Sequence, residues 1–182
     1  FIESVHPRTI DLSLDRVRRV LHCLVPTYPN VVITIGGTNG KGTTTAMLEA
    51  VYRSAGYRVG TYTSPHLVDY GERIKVAGEP SSAERLCEAF QAVNTARGTI
   101  PLTYFEFGTL AAFDIFSRAR LDIWVLEVGM GGRLDAVNAV DCDLAVIASI
   151  DLDHQAWLGN SREAIGREKA GILRYRGRAI VS

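Results

Sequence analysis

The sequence predicts an α/β fold, a parallel sheet with helices on both faces, on three observations. First, the β-branched run Val31-Val32-Ile33-Thr34-Ile35 leads into Gly36-Gly37-Thr38-Asn39-Gly40-Lys41-Gly42-Thr43-Thr44, and a helical pattern (Ala46, Met47, Ala50, Val51) follows at once. Second, Leu121–Leu126 and Leu144–Ala148 are continuous apolar runs, the pattern of strands covered on both faces. Third, segments of helical spacing alternate with these strands, which implies right-handed crossovers.

Leu14, Val17, Leu21 and Leu24 recur at helical spacing, giving an amphipathic first helix that Pro26 stops. A strand at 31–35, the glycine-rich loop and a helix to about Ser54, closed by Gly56, come next. Tyr57–Tyr62 reads as a short strand. Residues 63–80 carry Pro, Gly and charge without periodicity, so they read as a long loop or a small ordered excursion, and long loops in compact domains tend to be functional. Leu86, Phe90 and Val93 mark another amphipathic helix. Residues 104–119 are apolar on nearly every face, which predicts a helix buried against the sheet. After the strands at 121–126 and 144–148, a helix from about Ser161 to Ala170 precedes a last strand beginning at Arg178.

A chain of 182 residues holds one α/β domain with a sizeable core, or one domain and the stub of another. Its formal net charge of zero excludes bulk attraction to nucleic acid or anionic membranes, so neither is expected as a partner. Cys23, Cys87 and Cys142 lie far apart without metal-ligand spacing and read as reduced residues of a cytoplasmic protein. No apolar run reaches membrane-spanning length, and no secretory signal opens the chain. The start lacks Met and the end breaks off inside a strand, so the chain is read as trimmed at the front and cut short.

The glycine-rich loop is a phosphate cradle. Glycines let backbone N–H groups turn onto phosphate oxygens, and the helix N-terminus adds its positive dipole end. Gly37, Thr38, Asn39, Gly40, Lys41, Gly42, Thr43 and Thr44 form the expected ATP contacts; Lys41 reaches the β/γ-phosphates and the Thr43 hydroxyl meets Mg²⁺. Two positions depart from G-x-x-x-x-G-K-[ST]: Ile35 replaces the first glycine, and Gly42 intervenes before Thr43. The competing reading, a turn with a solvated lysine, is disfavoured by the strand–loop–helix order. The fold is therefore P-loop NTPase-like.

Ligands of such sheets bind beyond the carboxyl ends of the strands. Those ends carry Ser64, Pro65 and His66, then Glu127, then His154. Glu127 is either a solvated strand end or a carboxylate aimed at Mg²⁺ beside the γ-phosphate. Ser64 offers a hydroxyl to the same cation, and His154, flanked by carboxylates, is a further ligand candidate. Lys169 by spacing alone is a solvated helix-end lysine. A rival motif, Glu127-Val128-Gly129-Met130-Gly131-Gly132, resembles the strand-plus-GxG turn of S-adenosylmethionine-dependent methyltransferases or a truncated dinucleotide fingerprint. Position 134 is Leu where the third glycine belongs, and Asp135–Val140 runs straight into the next strand.

Taken together, the motifs resemble the folylpolyglutamate synthase and bifunctional dihydrofolate synthase branch of the Mur-ligase-type enzymes. The segments that carry the likeness are Gly37–Thr43, His6–Leu12, Ser64-Pro65-His66-Leu67, Leu102–Phe107, Leu126–Ala136 and Arg167–Ile172. The resemblance implies the central ATPase domain of that family, with residues 1–182 an incomplete N-terminal part and the C-terminal, glutamate-binding Rossmann-like domain absent. It implies catalytic roles for Lys41, Glu127, His154 and Lys169. Thr43, Ser64, Glu127 and His154 match magnesium-binding positions. Lys169 matches a lysine that is carbamylated in the family, an anionic ligand for a second divalent ion. Ser64, Pro65, His66, Phe105, Asp135 and Ala136 match the folate and pterin site. The implied reaction adds L-glutamate to dihydropteroate or folates with ATP through an acyl phosphate, in a monomeric enzyme. A Mur-type ligase for a cell-wall precursor, a P-loop NTPase without ligase activity and a non-catalytic binding module are the alternatives.

Overall fold

The computed structural model describes residues 11–24 and 26–182, so most of the His6–Leu12 segment lies outside the described residues. Among the described residues, α1 (Asp15–Leu24) precedes β1 (Val31–Gly36), α2 (Lys41–Ser54), β2 (Val59–Tyr62), β3 (Ile74–Val76) and β4 (Glu79–Pro80). Then follow α3 (Ala83–Arg97), α4 (Tyr104–Ala119), β5 (Ile123–Glu127), β6 (Leu144–Ile147), α5 (Gln155–Leu158), α6 (Arg162–Ala170) and β7 (Arg178–Val181). The strands form one sheet in the order β4-β3-β2-β5-β1-β6-β7. The block β2-β5-β1-β6-β7 is parallel, as its apolar runs predict. The chain leaves β1 toward β2 on one side and later adds β6 on the other, so the order reverses at β1, where ligands bind in open α/β sheets.

Strand alternation assigns two cores. Ile123 and Val125 of β5 join Ile33, Ile35 and Val59 beneath Leu48 and Tyr52 of α2. Trp124 and Leu126 face the other way, with Val32 and Tyr62, into the core closed by α1, α3 and α4. Phe113 of α4 stacks on Trp124 at 5.8 Å and 10°. The predicted burial of α4 holds: Phe107 to Phe113 are all buried, and Thr103 and Glu106 cap its start reciprocally. Val128, Ala145, Ile147 and Ile172 form a third cluster near the end of α6.

Several expectations change in detail. Residues 63–80 are the ordered excursion: a 3-10 turn at Tyr70–Arg73, then the hairpin β3–β4, which adds two antiparallel strands to the sheet. Its two-residue turn puts Ala77 (φ 52°) and Gly78 (φ 87°) both at positive φ, the geometry that matches strand twist. Alanine in the first turn position hides that signal in the sequence. Tyr57 and Arg58 lie outside β2, because Arg58 N–H donates to the Asp122 carboxylate at 2.8 Å instead of to a ladder. Asp135–Val140 is not a straight run; Ala136–Ala139 forms a 3-10 turn. On α2 the sheet-facing residues are Leu48 and Tyr52. Met47 and Val51, which mark the helix in the sequence, are each 64% exposed.

Candidate active site

The loop after β1 is held open from behind. Thr38 N–H donates to Ser149 O at 2.7 Å, and the Thr38 hydroxyl and the Asp151 backbone pair at 3.0 Å. Gly37 has φ 150°, and a Cβ there would lie 2.9 Å from Ala148 Cβ, so only glycine lets the loop pass this close to β6. Lys41 Nζ donates to the carbonyls of Gly37 (3.0 Å) and Thr38 (3.2 Å). Lys169 Nζ, almost fully buried, donates to the same Gly37 carbonyl at 2.9 Å. The two ammonium groups thus meet across the loop.

Two cavities flank it. A polar cavity of about 410 Å³ is lined by Gly42, Thr43, Ser64 and Glu127 together with Glu49 and Lys75. An apolar cavity of about 300 Å³ is lined by Phe105, Asp135, Ala136 and His154 together with Met130 and Leu134. Ser64 and Pro65 line both, so this short loop is the shared wall. Glu127 Oε2 accepts from Ser64 N–H at 3.4 Å, tying the end of β5 to that wall. Phe105 presses on Gly129, where a Cβ would stand 2.5 Å from its Cζ. The glycines of the rival GxG motif serve packing, since a Cβ on Gly132 would lie 2.8 Å from Glu168 O.

Electrostatics distinguish the ionisable groups. Burial pushes the Asp135 carboxyl up to about 6, opposed by N–H donors from Met130 (2.9 Å) and Val137 (3.0 Å). Burial lowers Lys169 to about 8, and the neighbouring Lys41 charge pushes the same way. Burial also raises Glu127, against the Lys41 charge and the Ser64 N–H. Among the described residues no group of three or more His, Cys, Asp and Glu gathers as a metal cage. Glu127, Ser64 and Thr43 supply only hard oxygen donors beside the phosphate loop. That set fits a hydrated hard divalent cation that takes its other ligands from phosphate and water.

Residues 35–181 match the family model of the Mur ligase middle domain. The chain belongs to the Mur ligase family. This Mur ligase chain is 53% identical over 182 residues to the dihydrofolate synthase/folylpolyglutamate synthase of Escherichia coli strain K12, covering 100% of this chain and 43% of that protein. The enzyme of the same name from Haemophilus influenzae is 50% identical over 175 residues, 96% of this chain and 40% of the relative. The structure of E. coli FolC in complex with DHPP and ADP matches with a TM-score of 0.97 at 53% identity, covering 99% of this chain and 44% of that one. A bifunctional folylpolyglutamate synthase/dihydrofolate synthase with Mn, AMPPNP and L-glutamate bound matches with a TM-score of 0.90 at 50% identity, over 99% and 44% of the two chains. The chain spans about two fifths of the length of these curated relatives.

The expected site residues of this Mur ligase chain divide between the two cavities. Gly40, Gly42, Thr43 and Glu127 line the polar cavity, whereas His154 lines the apolar one and sits 3.6 Å from Asp153. The Thr44 hydroxyl donates to Gly40 O, and Asn39 bridges to Ser149, so both shape the loop. His66 lines neither cavity and turns to Arg73 instead. Sequence reasoning misses Glu49, Lys75 and Arg73. Their only linear signal is charge inside otherwise apolar or turn segments, and their significance depends on partners brought by the hairpin. No helix among the described residues is long and apolar enough to cross a membrane.

Proposed function

We propose that this Mur ligase chain is the ATP- and pteridine-binding part of an ATP-dependent ligase that joins L-glutamate to dihydropteroate and folates. The observation that carries the reading is the shared wall Ser64-Pro65, with an aromatic-lined apolar cavity on one side and the phosphate loop on the other. A flat ring seated against Phe105 would offer its N–H groups to the Asp135 carboxylate, and the acid end of the molecule would then lie toward Glu127 and Lys41. The substrate carboxylate oxygen attacks the γ-phosphorus and the bond to ADP breaks, giving an acyl phosphate. The glutamate amine next attacks the acyl carbon, loses a proton, and phosphate leaves. Lys41 and the loop N–H groups hold the charge that develops, and positioning supplies the rest. Glu127, Ser64 and Thr43 would hold a divalent cation, Mg²⁺ in this reading, whose charge would offset that of the phosphates. With its amine near 8, Lys169 has enough neutral form to attack carbon dioxide and, releasing a proton to solvent, become an anionic carbamate. Lys169→Ala should then lose activity that short carboxylic acids partly restore. Free Cys23, Cys87 and Cys142 suit a cytoplasmic enzyme.

The test offers the full-length protein ATP, labelled glutamate and either dihydropteroate or tetrahydrofolate. Glutamylated product from at least one acid is expected, and none from residues 1–182 alone. ATP hydrolysis without ligation by the full-length protein would overturn the reading.

A further inference from the structure

We propose that Arg73 is a positioning residue that joins the two walls of the apolar cavity, and that it does so by donating to His66 Nδ1 and so orienting the imidazole. The inference rests on the pteridine-acid ligase reading above. Arg73 is 8% exposed, and among the described residues its guanidinium has no carboxylate partner. A buried, unpaired cation is costly unless something compensates it. Compensation comes from two rings and one imidazole. The guanidinium lies 5.4 Å from the centroids of both Tyr70 and Tyr104, in the corner of a ring pair that is perpendicular at 87° with centroids 5.9 Å apart. Its Nε donates to His66 Nδ1 at 2.8 Å.

This arrangement fixes which ring nitrogen of His66 faces Arg73. Arginine has no acceptor and stays protonated, so Nδ1 must present its lone pair. The ring N–H is therefore left to Nε2. The same residue also grips the loop through its backbone, because Arg73 O accepts from Thr63 N–H at 2.9 Å. Beyond His66, the N–H groups of Leu67, Val68 and Asp69 all donate to the Glu72 carboxylate, at 2.8, 3.1 and 2.9 Å. Residues 63–69 are thus strapped to the segment 69–73, with Arg73 holding the end that bears Ser64 and Pro65. Tyr104, the other partner of Arg73, opens α4 and is followed by Phe105, which lines the same cavity. One guanidinium consequently sets the separation of Ser64-Pro65 from Phe105, and with it the slot for a flat aromatic acid.

The experiment uses the full-length protein with Arg73→Met, which keeps the stem and removes the fork, and with His66→Gln and His66→Leu. Glutamine retains an acceptor for Arg73, and leucine does not. For Arg73→Met and His66→Leu, the KM for the pteridine acid should rise about tenfold, the loss of one charge-assisted hydrogen bond, with the KM for ATP within about twofold. His66→Gln should stay near wild type. Histidine ¹⁵N spectra of the unliganded wild type should show His66 protonated at Nε2 only, and Arg73→Met should give a mixture of tautomers. A wild-type His66 protonated at Nδ1, equal rises in both KM values, or an unchanged pteridine KM in folded Arg73→Met would overturn the proposal. If the wild type ligates nothing, the ligase reading fails, while the tautomer spectra still decide the Arg73–His66 pair.

Discussion

Asp135 shows how a single carboxylate is made suitable for a site and unfavourable for the fold. Burial raises it from 3.8 to about 6, while backbone N–H groups of Met130 and Val137 hold it in one orientation. Between those two values the folded chain keeps a proton that the unfolded chain has released, so stability falls as pH rises from about 4 to about 6. The shift corresponds to roughly 3 kcal/mol. Urea unfolding across that window should show the decline in the wild type. Asp135→Asn, whatever its absolute stability, should lack that slope; an identical slope would assign the decline to another group. Lys169 is the cationic counterpart, since burial and Lys41 favour its neutral form. Neither perturbation can be read from neighbours in the sequence, because the burial comes from β5, the 3-10 turn at 136–139 and α6 together.

At the scale of elements, α4 and β5 organise the site from below. Phe113 and Trp124 stack, and Phe116 packs on the same indole at 5.6 Å. This places the start of α4, with Thr103 and Phe105, over the end of β5, with Glu127. Phe113→Ala should cost about 3–5 kcal/mol, read as a fall in the denaturation midpoint, because the close-packed sheet face cannot collapse into the void. A change below about 1 kcal/mol would mean that the helix repacks. Arg16 ties α1 into the same corner, pairing with Glu106 at 2.8 Å and Asp11 at 3.0 Å. The hairpin β3–β4 contributes on the other side, since Lys75 stands across from Thr61 and enters the polar cavity. There Glu49 Oε1 accepts no hydrogen bond from the described residues.

Across the whole molecule, the two sheet faces are unequally covered. Among the described residues the α4 face is closed by α1, α3 and α4, whereas α2 alone covers the other, leaving Met47, Val51 and Ile180 of β7 exposed. Replacing Met47 and Val51 together by Lys should therefore leave the unfolding free energy of residues 1–182 within about 0.5 kcal/mol of the parent while raising solubility. A large loss of stability would show that these side chains belong to the core. The phosphate loop, the parallel strands and the buried α4 were all legible in the sequence, because each depends on residues that are consecutive or at fixed spacing. Lys41 needs only its own loop to place its ammonium group, which donates to Gly37 O and Thr38 O, and a continuous apolar run needs no partner to declare burial on both faces. Only the tertiary structure decided that Ser64-Pro65 is a wall between two cavities, that Lys41 and Lys169 share the Gly37 carbonyl, and that His66 turns to Arg73. Those facts depend on contacts between segments far apart in the chain and on which face of a helix or hairpin meets them, and linear spacing carries no information about either.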